Sequence, residues 1–245
     1  MKNHLNTIIV CLSVIICVII FSVSIVTLKT AQNNYIIVTG SATKSFVSDL
    51  IVWGGDFSKK ATTSKEAFEK LKNDMAAVKD YLMKNGVNED NIKFSSIKIS
   101  SDYEHEYNQD GRIIKTTFTG YILTQGVTIE STEVDKIEKI SRDITELIDL
   151  GIAFYSWSPE YYYTKLDELK LDLIAKSAEN TRMRAETIVK ESGAKISRLR
   201  SANLGVFQIT PENSSTDSYS SGGVYDVSSK NKTAFITTRL EYLLK

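Results

Sequence analysis

The chain has 245 residues, with 30 basic and 30 acidic side chains and 42% apolar residues. That suits one medium-sized globular domain, or two small ones, with enough surface to bury for a real core. A neutral net charge argues against a general nucleic-acid binder, which needs excess lysine and arginine to displace counterions from phosphates.

From Thr7 to Leu28 run 22 residues without a charge, TIIVCLSVIICVIIFSVSIVTL. As a helix at about 1.5 Å per residue this segment spans roughly 33 Å, enough for the hydrocarbon core of a bilayer. A cleaved signal peptide is the rival reading, but its apolar region normally covers about 7–15 residues and ends at an A-x-A-like site. Here the run is longer, and its best candidate site, Ser22-Val23-Ser24, is mediocre. Cys11 and Cys17 follow Val10 and Ile16, so neither has the small preceding residue that bacterial lipid attachment usually requires. The expectation is an uncleaved anchor in residues 1–29, running from Thr7 to Leu28, with residues 30–245 outside the cytoplasm, periplasmic or at the cell surface. Both cysteines fall in the anchor, so the rest of the chain offers no disulfide, zinc–thiolate site or cysteine nucleophile.

Residues 35–56 read as two strands rich in Val and Ile, broken by Gly40 and ended by Gly54-Gly55. A helix is expected to start near Thr63, where Thr63-Ser64-Lys65-Glu66 has capping-box spacing. Phe68, Leu71, Met75, Val78 and Leu82 make one apolar stripe on it, and Gly86 is the natural stop. Next come two long strands, Ile92–Tyr107 and Ile113–Ile129, joined by a turn. A second helix follows from Thr132, with Val134, Ile137, Ile140, Ile144 and Leu147 inward and Gly151 ending it. A short strand is expected at 152–158, a third helix over Leu166–Ser192, and last strands over Leu199–Ile209 and Thr233–Leu244. Between the last two, residues 211–230 are rich in serine and glycine and read as a mobile loop inside a single domain, 30–245. The fold class is α/β in the α+β sense: a mixed, largely antiparallel sheet with long hairpin strands packed by three helices, preceded by the transmembrane helix.

Within the hairpin, Asp110-Gly111 signals a two-residue type I′ turn, which sets Glu106 opposite Lys115, His105 opposite Thr116 and Tyr103 opposite Phe118. Alternation then places Asp102, Glu104 and Glu106 on one face and Tyr103, His105 and Tyr107 on the other. The histidine points away from its neighbouring carboxylates, and residues 30–245 contain no second one, so a two-histidine metal site is excluded there. The carboxylate row lacks the spacing of a calcium loop. No catalytic, cofactor-binding or metal-binding residue is assigned, and no cofactor is expected. Tyr103, Tyr107 and Phe118 remain as candidate contacts on an arm without a local core.

The stretch 154–165 concentrates aromatics. Tyr and Trp favour interfaces and stacking platforms, so Trp157, Tyr161 and Tyr162 are candidate oligomer or ligand contacts, against core packing as the plainer reading. Arg182, Arg184, Lys190, Lys195, Arg198 and Arg200 form a basic run that reads as a solvated helix face, with anionic lipid headgroups as the alternative. No P-loop, GxGxxG or GxSxG pattern occurs.

With these elements laid out, the chain resembles the SIMPL domain family, bacterial proteins long classed as a domain of unknown function. The matching stretches are IIVTGSA at 36–42, the hairpin region at 95–130, and the third helix with Ala175, Ala178, Arg184-Ala185 and the following Gly193. One departure is Ser48-Asp49, where the family usually has Pro-Asp. The resemblance implies an α/β domain outside the cytoplasm that assembles into oligomers and is linked loosely to envelope integrity or oxidative stress. It carries over no catalytic residue.

The expectation is therefore a non-enzymatic, membrane-anchored envelope protein acting by self-association, as a homo-oligomer, or by binding another envelope protein, with no nucleic-acid partner. The alternatives are a small-ligand or glycan-binding module using the 154–163 aromatics, and a hydrolase working with carboxylates alone, since a glycosidase needs only two.

Overall fold

The structure is a computed structural model that describes residues 12–26, 34–214 and 220–245. Residues 12–26 form helix α1, exposed along its whole length. Thr7 and Leu28, the expected ends of the anchor, lie outside the described residues. Among the described residues no helix is long and apolar enough to cross a membrane.

Residues 34–245 are a mixed α+β fold whose strands divide into two sheets, where the sequence suggested one. Strand β1 (Tyr35–Val47) belongs to the first sheet and β2 (Leu50–Ala61) to the second. The chain crosses between them at Ser48-Asp49. There the Ser48 amide donates to the Lys230 carbonyl (2.9 Å) and the Asp49 amide to that of Tyr162 (3.0 Å). These two bonds turn the backbone away from β1's ladder, which two consecutive apolar runs did not reveal.

The second sheet is antiparallel throughout. β2 and β5 (Ile113–Ser131) are its centre, with β3 (Ile92–Phe94) and β4 (Lys98–Tyr107) on β5 and β6 (Phe154–Ser156) and β7 (Glu160–Tyr162) on β2. The expected strand 92–107 is two strands, because the Ser95 hydroxyl takes the ladder bond of the Gly126 amide (2.9 Å). Gly54-Gly55 do not end β2. They let it run flush with its neighbours, since a Cβ on Gly55 would stand 2.4 Å from the Phe154 ring.

Helix α2 (Ser64–Lys84) covers this sheet, its N-terminus capped by the Thr63 side chain accepting from the Glu66 amide. Its buried stripe is Ala67, Leu71, Asp74, Val78 and Leu82. Phe68, expected inward, is exposed: the stripe is rotated by one residue so that Ala67 meets the sheet closely. Asp74 on this stripe is paired with Lys59 (3.1 Å). Helix α3 (Val134–Asp143) continues as a 3-10 turn over Ile144–Leu150 and stops at Gly151, φ 73°. Val134, Ile137, Ile140, Ile144 and Leu147 are all buried. Trp53 and Phe57 of β2 and Leu123, Val127 and Ile129 of β5 complete this core.

Helix α4 (Leu166–Glu191) covers the first sheet, whose central strand is β11 (Asn231–Leu244). β1 lies antiparallel along one side of β11, and β8 (Ile196–Leu204) and β9 (Gln208–Pro211) along the other. The expected strand Leu199–Ile209 divides where the Gly205 amide leaves it for the Thr237 carbonyl (2.8 Å). The expected loop 211–230 is partly ordered: β10 (Val224–Tyr225) pairs parallel with β9, while residues 215–219 lie outside the described residues.

Candidate functional site: the hairpin arm

β2 pairs with β5 only as far as Ala61 opposite Tyr121. Two residues later Thr63 caps α2, which runs back over the sheet. From Gly120 toward the turn, β5 has only β4 beside it among the described residues. The hairpin thus leaves the body as a two-stranded arm.

The expected register holds in the middle of the arm, with Tyr103 opposite Phe118, His105 opposite Thr116 and Glu106 opposite Lys115. The turn differs from the two-residue type. Asn108 closes it, donating to the Arg112 carbonyl (3.0 Å) and accepting on Oδ1 from the Asp110 and Arg112 amides, while Gly111 takes φ 77° and Asp110 stays at negative φ. The register shifts once on each side, between Asp102 and Tyr103 and between Glu106 and Tyr107. Each shift gives β5 one extra residue, and such bulges bend and twist a strand.

The inner bulge, at Thr119-Gly120, matters chemically. It brings Phe118 and Tyr121 onto one face, with their rings 5.3 Å apart and nearly perpendicular. Phe118 also meets Tyr103 edge-on at 5.7 Å. Since Tyr121 packs on the main core, the arm's aromatic row continues the core beyond its helical cover. The outer bulge sets both Ile113 and Ile114 against Tyr107. Ile99, Tyr103, Tyr107, Ile113, Ile114 and Phe118 are each 48–64% exposed. At about 150–250 Å² for a large side chain, they offer roughly 600 Å² of uncovered apolar surface per copy, at the upper end for a soluble monomer.

The opposite face is polar and internally paired. Lys115 donates to Glu106 (2.9 Å). At the base, Asp102 is held by Lys60 and by the Thr119 hydroxyl. The Lys60 hydrogen bond, then that of Thr119, lowers the Asp102 carboxyl below the ordinary carboxylate range. Lys60 was not apparent from sequence, because only the β2–β5 register brings it to Asp102. His105 Nδ1 lies 3.0 Å from the Thr116 hydroxyl, away from the carboxylates as alternation required.

The other candidate residues do not join the arm. Tyr161 is buried, and burial raises its phenol. The Tyr162 hydroxyl donates to Glu160 (2.6 Å), which raises its pKa, and its ring meets that of Tyr225 at 6.5 Å. Trp157 is half-exposed, its indole N–H donating to Asp56 (3.1 Å). Trp157 and the exposed Tyr155 lie beside β2, on a different edge from the arm. A depression of about 430 Å³ between Ser48-Asp49 and the start of α3 carries three carboxylates, Asp49, Glu133 and Asp135. Each is already engaged: Asp49 by the Thr164 amide and hydroxyl, Glu133 by Lys136, Asp135 by Lys230. Among the described residues no group of three or more His, Cys, Asp or Glu side chains is placed to hold a metal ion.

The small residues of α4 have a structural use. A Cβ on Gly40 would stand 2.3 Å from Thr181 Oγ1 and 2.6 Å from its backbone nitrogen, so helix and strand touch here through backbone. Ser177, Thr181 and Ala185 are fully buried along this contact. One turn on, Arg184 donates to the Thr39 carbonyl (3.2 Å), and Asn180 accepts from the Ser41 amide (3.3 Å). Both bonds occupy β1's outer edge, where an unpaired strand would otherwise invite another.

These features stand in stretches that a family model matches: residues 36–235 fit SIMPL, described as "Protein of unknown function (DUF541)". No curated protein matches the chain.

Proposed function

The chain belongs to the SIMPL family, and from that premise we propose that it is a membrane-anchored, extracytoplasmic envelope protein that works by self-association through its hairpin arm. The anchor rests on the uncharged run from Thr7 to Leu28, part of which is the fully exposed helix α1. Self-association rests on one observation, the apolar face of the arm, continuous with the core at Tyr121 and covered by nothing in the chain's described residues. The occupant that fits is a second copy. Two such faces supply about 1,200 Å², above the roughly 1,000 Å² that a specific interface needs. Tolerance of envelope or oxidative stress is the physiological setting this reading favours.

The test is sedimentation equilibrium of the full chain in non-ionic detergent. The native chain is expected to form oligomers, and the Tyr107→Ser/Phe118→Ser double variant to shift toward monomer with an unchanged melting temperature. A native chain that stays monomeric at high micromolar concentration refutes the proposal. A glycan-binding module is the second reading, favoured by Trp157, whose indole is half-exposed and pinned by Asp56 beside the exposed Tyr155. It requires oligosaccharides to quench or shift tryptophan fluorescence in the native chain and not in Trp157→Ala.

A further inference from the structure

We propose that the arm-to-arm assembly is opened by acid through His105; this rests on the self-association reading and adds its regulation. His105 is the only histidine in residues 34–245, and it sits mid-row on the apolar face rather than at the rim. Its neighbours on β4 are Tyr103 and Tyr107, the latter ring 6.4 Å away and edge-on. Across on β5 lie Thr116, whose hydroxyl is 3.0 Å from Nδ1, and then Phe118 and the Ile113-Ile114 bulge.

No charged side chain shares this face within the arm. Glu104 and Glu106 project to the other side, where Glu106 is paired with Lys115. Asp110 and Arg112 belong to the turn, past Tyr107. In the free arm His105 is exposed to water.

Closing two arms face to face changes that balance. A neutral imidazole keeps its Thr116 contact and is buried at small cost. An imidazolium would lose its hydration among tyrosines, phenylalanine and isoleucines with no carboxylate to meet it, and desolvation disfavours the charged form. A two-fold contact is self-complementary, so the partner face brings a second histidine in the same surroundings and no compensating acid. The separated chains therefore bind protons more tightly than the assembly, and assembly weakens as pH falls through the imidazole range. Imidazole is the side chain whose charge changes between about pH 5 and 8, a span that an extracytoplasmic domain meets without cytoplasmic buffering.

The experiment is sedimentation equilibrium of the full chain in non-ionic detergent at pH 7.5 and 5.5, with circular dichroism confirming the fold at both. For native protein the dissociation constant is expected to rise about tenfold per histidine for each pH unit below the imidazole midpoint. His105→Gln, and His105→Asn as a second variant, should assemble like native protein at pH 7.5 and keep that assembly at pH 5.5. Native protein that assembles equally at both values overturns the inference while leaving self-association standing. A His105→Gln chain that dissociates in acid as native protein does overturns it too, by assigning the effect to carboxylates. A native chain monomeric at both values removes the self-association reading along with this one.

Discussion

Lys232 offers a measurement of how much one buried cation holds the fold together. Lys232 is 1% exposed, yet among the described residues it forms no ion pair, the nearby Asp226 carboxylate acting on it only through its field. The ammonium donates instead to two backbone carbonyls, those of Tyr161 (2.7 Å) and Asp226, and lies 5.6 Å from the centre of the Tyr225 ring. It thereby fastens β7, the segment 224–228 and β11 to one another. Lys232→Met keeps the volume and removes the charge. Two buried carbonyls then lack donors, at about 1–3 kcal/mol each. Part of this is offset, because burial lowers the Lys232 pKa below 10.5, which means the charged form is not fully repaid for its lost hydration. A net loss of about 2–4 kcal/mol follows, or about 5–12 °C in melting temperature for a chain of this size. Urea denaturation of the full chain at neutral pH measures it.

A second arm of the same assay fixes the sign. A lysine whose folded pKa is depressed holds fewer protons in the folded than in the unfolded chain. The native protein should therefore gain stability as pH rises through the lowered folded pKa toward 10.5, and Lys232→Met should lose that gain. A variant within about 0.5 kcal/mol of native, with an unaltered pH slope, would refute the reasoning.

Gly40→Val should destabilise by about 1–3 kcal/mol or more, as overpacking does, and Thr181→Ala should not rescue it, because the added Cβ also meets Thr181 backbone; paired thermal melts of single and double variants check this. Tyr81 is pushed up to about 12 by burial and then by Glu146, so a spectrophotometric titration should show it ionising after the ordinary tyrosines. Stability from its neutral phenol is complete below about 10 and is lost as pH rises toward 12, a loss that Tyr81→Phe abolishes. Lys60→Met should return the Asp102 carboxyl toward 3.8, read by carboxyl NMR. Because a lowered carboxyl stabilises above its unfolded value and ceases to do so as pH falls through the folded one, the native arm should loosen only in strong acid.

Much of the fold was legible because its signals are local. The cap at Thr63, the stripe of α3, the extent of α4 and the mid-arm register come from spacing within one or two elements, and the structure reproduces them. What failed depended on partners far along the chain. Gly40 and Gly54-Gly55 read as breaks by propensity, and they are instead positions of close approach to Thr181, Val127 and Phe154. The split of the sheet at Ser48-Asp49 depends on Lys230 and Tyr162, more than 110 residues away. Of the candidate contacts, Tyr103, Tyr107 and Phe118 share the arm, because strand parity and register predict a common face. Tyr161 and Tyr162 do not, because a run of tyrosines has no period that separates buried from exposed. Lys60, Lys232 and Asn180 carried no sequence signal at all.

The two kinds of exposed strand in this chain are treated differently, and the contrast bears on function. At β1 the edge is occupied by Arg184 and Asn180 from the covering helix, and β8 is made irregular by register shifts along β11 and carries Arg200 paired to Glu241. These are the devices by which a protein keeps unwanted strands off an edge. The arm carries bulges too, but they turn Ile113, Ile114, Phe118 and Tyr121 toward one face instead of dispersing them. Its ion pairs, Lys60 to Asp102 and Lys115 to Glu106, all stand on the reverse side. A single charge at Thr116, opposite His105 on this face, would suffice to spoil docking, and that position holds threonine. A surface guarded at its edges and left open on one aromatic face is what the proposed self-association requires, since a second arm presenting the same face would meet it without any other partner.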